Sequence, residues 1–245
     1  MPHADVGQRG VSFSSVSDRM TSDCSYTQGG SVMKNAKYVV FDGMDGSGKG
    51  TQIELLQKKF SDVVFTFEPG GTPFADEIRK IVRDNPLAGK STPLNNFLLF
   101  WAAREELQHN LVVPTLQSGK HVFSDRGDSS TFAYQICGEQ NERLASTFVM
   151  MRNLVFHQGG RRPPDFYIIF DLPAEVAHER VMAAGGNKRN HFDTRNLAYY
   201  ERVRNGFWNF KSQVPSVVFV DAGGTPEEVH ELVLGILIEK GVIAK

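Results

Sequence analysis

An apolar run, Val39-Val40-Phe41, empties into Asp42-Gly43-Met44-Asp45-Gly46-Ser47-Gly48-Lys49-Gly50-Thr51-Gln52, and Ile53, Leu55, Leu56 and Phe60 follow at helical spacing. Strand, glycine-rich loop and helix in that order commit this part of the chain to one local geometry. The loop's backbone N–H groups and the helix N-terminus surround phosphate, and the lysine reaches the outer phosphates. Glycine is needed there because a Cβ would block close backbone approach and the positive φ angles of the turn. Gly43 and Gly48-Lys49 keep the spacing of a nucleoside-triphosphate loop, but Gly50 stands where Ser or Thr is expected. The hydroxyl comes one residue late, at Thr51. Gly43 through Thr51 are the candidate triphosphate-binding residues.

A chain of 245 residues suits one α/β domain whose core needs neither disulfide nor structural metal. The formal net charge of −1 gives no polyelectrolyte footprint, which argues against general nucleic-acid binding. Cys24 and Cys137 are too few and too scattered for a disulfide framework or a zinc site, so a reducing cytoplasm is the expected setting. No apolar run is long enough to span a bilayer, and no membrane partner is expected. Residues 1–33 are rich in Ser and Gly, show no strand or helix period and lack a secretory hydrophobic stretch. They are expected to be a disordered, dispensable extension of the domain at 34–245, with Met33 its true start.

From Lys37 onward strand-like and helical segments alternate, which predicts a three-layer α/β fold with a five-stranded parallel sheet wrapped by helices. Strands are expected at 37–41, 63–67, 121–124, 166–171 and 216–220. Helices are expected at 49–60, 74–83, 92–118, 129–137, 143–157, 174–184, 194–213 and 225–240. Ligands of such sheets sit beyond the carboxyl ends of the strands, so the residues after Phe41, Phe67, Ser124 and Val220 converge on one crevice.

The residue types around that crevice suit two nucleotides held phosphate to phosphate, because phosphoryl transfer asks for positioning and positive charge more than for covalent chemistry. The second strand runs into Glu68-Pro69-Gly70-Gly71-Thr72-Pro73, with Arg79 in the next helix. Phe100 and Arg104 are four apart and share a helical face, which offers a nucleobase an aromatic plane and a two-pronged donor. The same spacing also fits a core Phe100 and a solvated Arg104. Asp125-Arg126 closes the third strand, and Ser130, Thr131, Tyr134 and Gln135 follow. A carboxylate so placed can order Mg²⁺ through its water, and the guanidinium can grip an acceptor phosphate; an isolated pair of this kind is equally an ordinary ion pair. Gly185-Gly186-Asn187-Lys188-Arg189-Asn190-His191 is either a cationic lid or an exposed charged loop.

Taken together, these segments resemble the thymidylate kinases. The similarity runs from Lys37 to Val242 and includes Phe-Asp-Gly-Met-Asp-Gly-Ser-Gly-Lys, Glu-Pro-Gly-Gly-Thr-Pro, Leu-Leu-Phe-Trp-Ala-Ala-Arg, Ser-Asp-Arg and Thr-Phe-Ala-Tyr-Gln. The resemblance implies a homodimeric P-loop fold with a short lid, using ATP and Mg²⁺ to phosphorylate dTMP to dTDP by in-line transfer. By the same resemblance Lys49 binds the β- and γ-phosphates and Thr51 the inner ones. Asp45 faces the dTMP sugar and phosphate and, with Asp125, holds the metal through water. Glu68 lies beside the acceptor sugar and metal, and Arg79 and Arg126 hold the dTMP phosphate. Phe100 stacks on thymine, Arg104 bonds its carbonyl edge, and Thr131 and Gln135 complete base recognition. Tyr134 crowds the 2′ position, and the loop at Asp221 and Ala222 lies near the adenine.

Three positions depart from that pattern. Phe67 stands where bacterial members carry Arg before the Glu-Pro-Gly-Gly-Thr turn. His191 stands where the lid arginine is expected, which leaves Lys188 or Arg189 to act in its place. Gly50 brings the loop closer to adenylate kinases. The rival expectations are a kinase for another or several deoxynucleoside monophosphates, and a nucleotide-binding homologue with impaired catalysis.

Overall fold

Strand β1 (Tyr38–Gly43) is buried along its whole length, as an apolar run must be in a parallel sheet covered on both faces. A computed structural model describes residues 36–184 and 195–244, all within one unit, Val32–Lys245. The extension expected at 1–33 and the lid segment with Lys188, Arg189 and His191 lie outside the described residues. After β1 come α1 (Lys49–Lys59), β2 (Val64–Phe67), α2 (Pro73–Arg79), α3 (Pro93–Leu107), α4 (Val113–Gln117), β3 (Val122–Asp125) and α5 (Asp128–Ser130). The chain continues with α6 (Ala145–Phe156), β4 (Phe166–Asp171), α7 (Ala174–Ala183), α8 (Leu197–Gln213), β5 (Val217–Asp221) and α9 (Pro226–Glu239). The strands form one sheet in the order β2-β3-β1-β4-β5, every pair parallel. This is the five-stranded, helix-flanked sheet that the alternating pattern predicts, with strand ends displaced by one or two residues. Among the described residues no helix is long and apolar enough to cross a membrane.

The helix expected at 92–118 is more articulated than its periodicity suggests. Thr92 caps it, accepting from the Asn95 amide at 3.2 Å, and α3 then passes through a wider π-type turn, Gln108–Val112, into α4. Pro114 accounts for the change, since its ring has no N–H and crowds the preceding turn. Similar wide turns extend α2 over Lys80–Asp84 and α5 over Thr131–Gly138.

Below the sheet an aromatic chain fills the core. Trp101 meets Phe148 edge-on at 5.5 Å, Phe148 meets Phe132 at 5.3 Å, and Phe210 lies 5.2 Å from Tyr167, the tilted contacts that ring quadrupoles favour. Within it sits a buried polar triad: Asp128 accepts from the Tyr167 hydroxyl at 2.7 Å and from Arg152 Nε at 2.8 Å. Helix α8 lies unusually close to the Thr131–Gly138 stretch. A Cβ added to Gly206 would be 2.8 Å from Ala133 Cα, so only glycine allows this approach. These constraints hold the carboxyl ends of β1, β2 and β3 around one crevice.

Candidate active site

The glycine-rich loop between β1 and α1 is folded as the sequence predicts. Gly46 adopts φ +85°, and a Cβ there would be 2.4 Å from the Ala177 carbonyl oxygen of α7, so both its backbone angle and its surroundings demand glycine. Gly50 has open space where a side chain would go; packing does not require its lack of one. Thr51 is exposed on the first turn of α1. The Ser47 hydroxyl is buried inside the loop without a partner, as a group awaiting a ligand oxygen would be. Lys49 is buried and its Nζ pairs with Asp125 at the end of β3. Burial, then repulsion from Arg126, lowers the lysine's pKa, and Asp125 opposes both.

Asp42, the last polar residue of β1's buried run, organises the other side. Its carboxylate accepts from the Gly43 amide at 2.8 Å, Ser129 Oγ at 2.6 Å, Ser130 Oγ at 2.7 Å and Arg126 Nη1 at 3.3 Å. Arg126 also pairs with Asp45 and donates to Ser130 Oγ at 2.9 Å. Its backbone stands at φ +74°, a conformation that a side-chain-bearing residue keeps only where its surroundings enforce it. Burial disfavours the charge on Arg126, but Tyr134, Asp45 and Asp42 outweigh it and hold the guanidinium pKa well above its usual value. Sequence reasoning missed Asp42 and Ser129 as functional residues and gave Ser130 no role. The available signal was a carboxylate interrupting an apolar strand just before the loop.

One cavity of about 480 Å³ brings together most of the residues predicted for the acceptor, with Arg104 set behind its lining and, of the phosphate loop, Asp45 and Lys49 on it, a volume suited to a small ligand. Asp45 and Lys49 reach it from the loop, Glu68, Asp125 and Arg126 from strand ends, and Arg79 and Phe100 from α2 and α3. Thr131, Tyr134 and Gln135 line it from the wide-turned helix. The Tyr134 hydroxyl accepts from the Asp45 amide at 3.0 Å. Arg104 is not solvated; it is 1% exposed, donating to Glu68 Oε2 at 2.7 Å and Thr131 Oγ1 at 3.0 Å. Its Nη1 is buried without a partner, as is Gln135 Oε1. Phe67, 37% exposed, supports Arg79, whose Cζ lies 4.9 Å from the ring centre.

Burial pushes the Glu68 carboxyl from its ordinary 4.5 up to about 7, more than Arg104 pulls it down. The folded state therefore holds this proton more tightly than the unfolded chain. The stability so gained is complete below pH 4.5 and is lost as pH rises through about 7. Glu68→Gln cannot titrate, so the parent's Tm should fall relative to the variant's between about pH 4.5 and pH 7. A difference in Tm that stays constant over that window counts against this assignment.

A phosphate loop on a parallel sheet, facing a cavity with four lining cations, Lys49, Arg79, Arg83 and Arg126, defines a P-loop nucleotide phosphotransferase. The thymidylate kinase family model matches residues 41–233. The chain belongs to the thymidylate kinase family. It is 36% identical over 207 residues to the thymidylate kinase of Caldicellulosiruptor saccharolyticus, covering 82% of this chain and 95% of that protein. It is 33% identical over 213 residues to that of Caulobacter vibrioides, covering 85% and 99%. The structure of the Ehrlichia chaffeensis thymidylate kinase is similar with a TM-score of 0.66 at 27% identity, covering 83% of this chain and 99% of that one.

Proposed function

We propose that this chain transfers the γ-phosphoryl group of ATP to dTMP, giving ADP and dTDP. The observation that carries the choice of acceptor is a pair of unpartnered polar atoms, Arg104 Nη1, just behind the cavity lining where the guanidinium bonds Thr131, and Gln135 Oε1 on the lining itself. A thymine ring offers a carbonyl to the first and its N3–H to the second. Cytosine offers an amino group and a bare ring nitrogen instead, leaving like facing like, which a buried polar site rejects strongly. Phe100 supplies the stacking plane, and Tyr134, tied to Asp45, crowds the 2′ position and favours deoxyribose.

In this reading an acceptor phosphate oxygen, steered by Arg79 and Arg126, attacks the γ-phosphorus in line, and no covalent enzyme intermediate forms. Lys49 follows the β- and γ-oxygens and takes up charge as it develops on the leaving group. Asp45 and Asp125 are hard oxygen donors suited to Mg²⁺ held largely through water and substrate phosphate. Bound there, Mg²⁺ neutralises charge on the β- and γ-phosphates.

We assign the working form to a homodimer in the cytoplasm. Leu94 and Leu98 on α3, and Met150 and Leu154 on α6, are exposed at four-residue spacing on helices that meet through Trp101 and Phe148. Sedimentation of the full chain should give twice its mass; a monomer at micromolar concentration would refute the dimer. Cys137 is a free thiol, compatible with a reducing compartment.

An ADP-release assay with ATP, Mg²⁺ and each deoxynucleoside monophosphate tests the reaction. dTMP should be the fastest acceptor. dUMP should come second by about 10–200-fold, since it lacks only a methyl group. Faster turnover of dCMP or dGMP, or none with any acceptor, overturns the proposal.

A further inference from the structure

Every carboxylate on the cavity wall already has a cationic partner. Asp125 pairs with Lys49, Asp45 with Arg126, and Glu68 with Arg104. Asp42 gives Arg126 a second one. Two cations of the same wall are left over. Arg79 has only neutral contacts, a bond to the Pro69 carbonyl at 2.7 Å and the Phe67 ring. Arg83, four residues further along the same helical stretch, lines the cavity and makes no hydrogen bond or ion pair among the described residues. Asp125 and Asp84 attract Arg79 only from a distance, while burial and then the Arg83 charge pull its pKa down.

Like charges brought together on a partly desolvated wall destabilise each other, and an anion placed between them removes that penalty. A guanidinium is the side chain best shaped to take phosphate oxygens in pairs. We infer that Arg83 is a phosphate-binding residue of the acceptor site, forming with Arg79 a two-guanidinium clamp for the dianionic phosphate of a nucleoside monophosphate. The inference rests on reading this cavity as the acceptor site. Phe67 belongs to the same device, because its ring braces Arg79 without bringing a negative charge that would compete with the ligand. Arg126, already satisfied by two carboxylates, is the less available cation, so recruitment of the phosphate falls to α2 and its extension.

The test is calorimetric binding of dTMP and of thymidine to the full chain, for the parent, Arg83→Gln and Arg83→Lys. Arg83→Gln should weaken dTMP about tenfold and leave thymidine, which has no phosphate, within about twofold of the parent. Arg83→Lys should fall between, keeping the charge and losing the two-pronged geometry. A dTMP Kd within about twofold of the parent in Arg83→Gln, or an equal loss for thymidine, overturns the clamp. Where the turnover assay selects another deoxynucleoside monophosphate, the same comparison is made with it and its nucleoside. A selective loss there keeps the clamp while the dTMP assignment falls; no selective loss removes both.

Discussion

Lys49→Met is expected to lower kcat by about 10²–10³-fold while leaving dTMP affinity nearly unchanged. Lys49 is the buried cation of the phosphate loop, and methionine keeps the length of its stem without the charge. The lost interaction is with oxygens whose charge grows as the γ-phosphoryl group departs, so the loss falls on the chemical step. Asp125 also loses its partner, but its side chain is 33% exposed and water can replace the ammonium, which should keep the fold intact. Single-turnover kinetics with saturating ATP would read the effect directly. A kcat within about tenfold of the parent would show that another group carries the phosphate charge.

Asp128→Ala should have the largest effect on stability, about 3–5 kcal/mol, because it leaves Arg152 charged and unpaired in the core. Arg152 is 8% exposed and Asp128 is wholly buried. The variant also strips the Tyr167 hydroxyl of its acceptor at 2.7 Å. For a chain of this size each kcal/mol moves Tm by about 2–4 °C, so a fall of about 6–20 °C is expected in a thermal melt. The double variant Asp128→Leu/Arg152→Met should recover much of that loss, since a well-packed apolar pair often replaces a buried ion pair without penalty. Equal stability of single and double variants would mean that the cavity, and not the orphaned charge, dominates.

Most of the fold was legible because its signals are local. The strand-to-loop transition at Phe41–Gly43 and the glycine and proline punctuation between elements depend only on neighbouring residues. The residues brought to the cavity were legible for a related reason: in a parallel sheet strand ends face one crevice, so Glu68, Asp125 and Arg126 had to meet there. What stayed hidden depends on partners distant in the chain. Asp42 shows its role only when Ser129, Ser130 and Arg126 come round from the far side of β3. Arg104 read equally well as solvated because spacing along a helix does not reveal Glu68, 36 residues earlier, waiting inside. The wide turn before Pro114 was invisible to periodicity, which registers the apolar face but not a local change of pitch.

The close seat of α8 on the Thr131–Gly138 stretch has a mechanical consequence. With Gly206 pressed against the Ala133 backbone and aromatic rings of Tyr134 and Phe207 packed beside it, the two segments have little room to slide independently. Thr131, Tyr134 and Gln135 therefore ride on a beam whose other half is α8. Under the proposed reading of the cavity, substitutions in α8 that never touch a nucleotide are expected to alter acceptor preference.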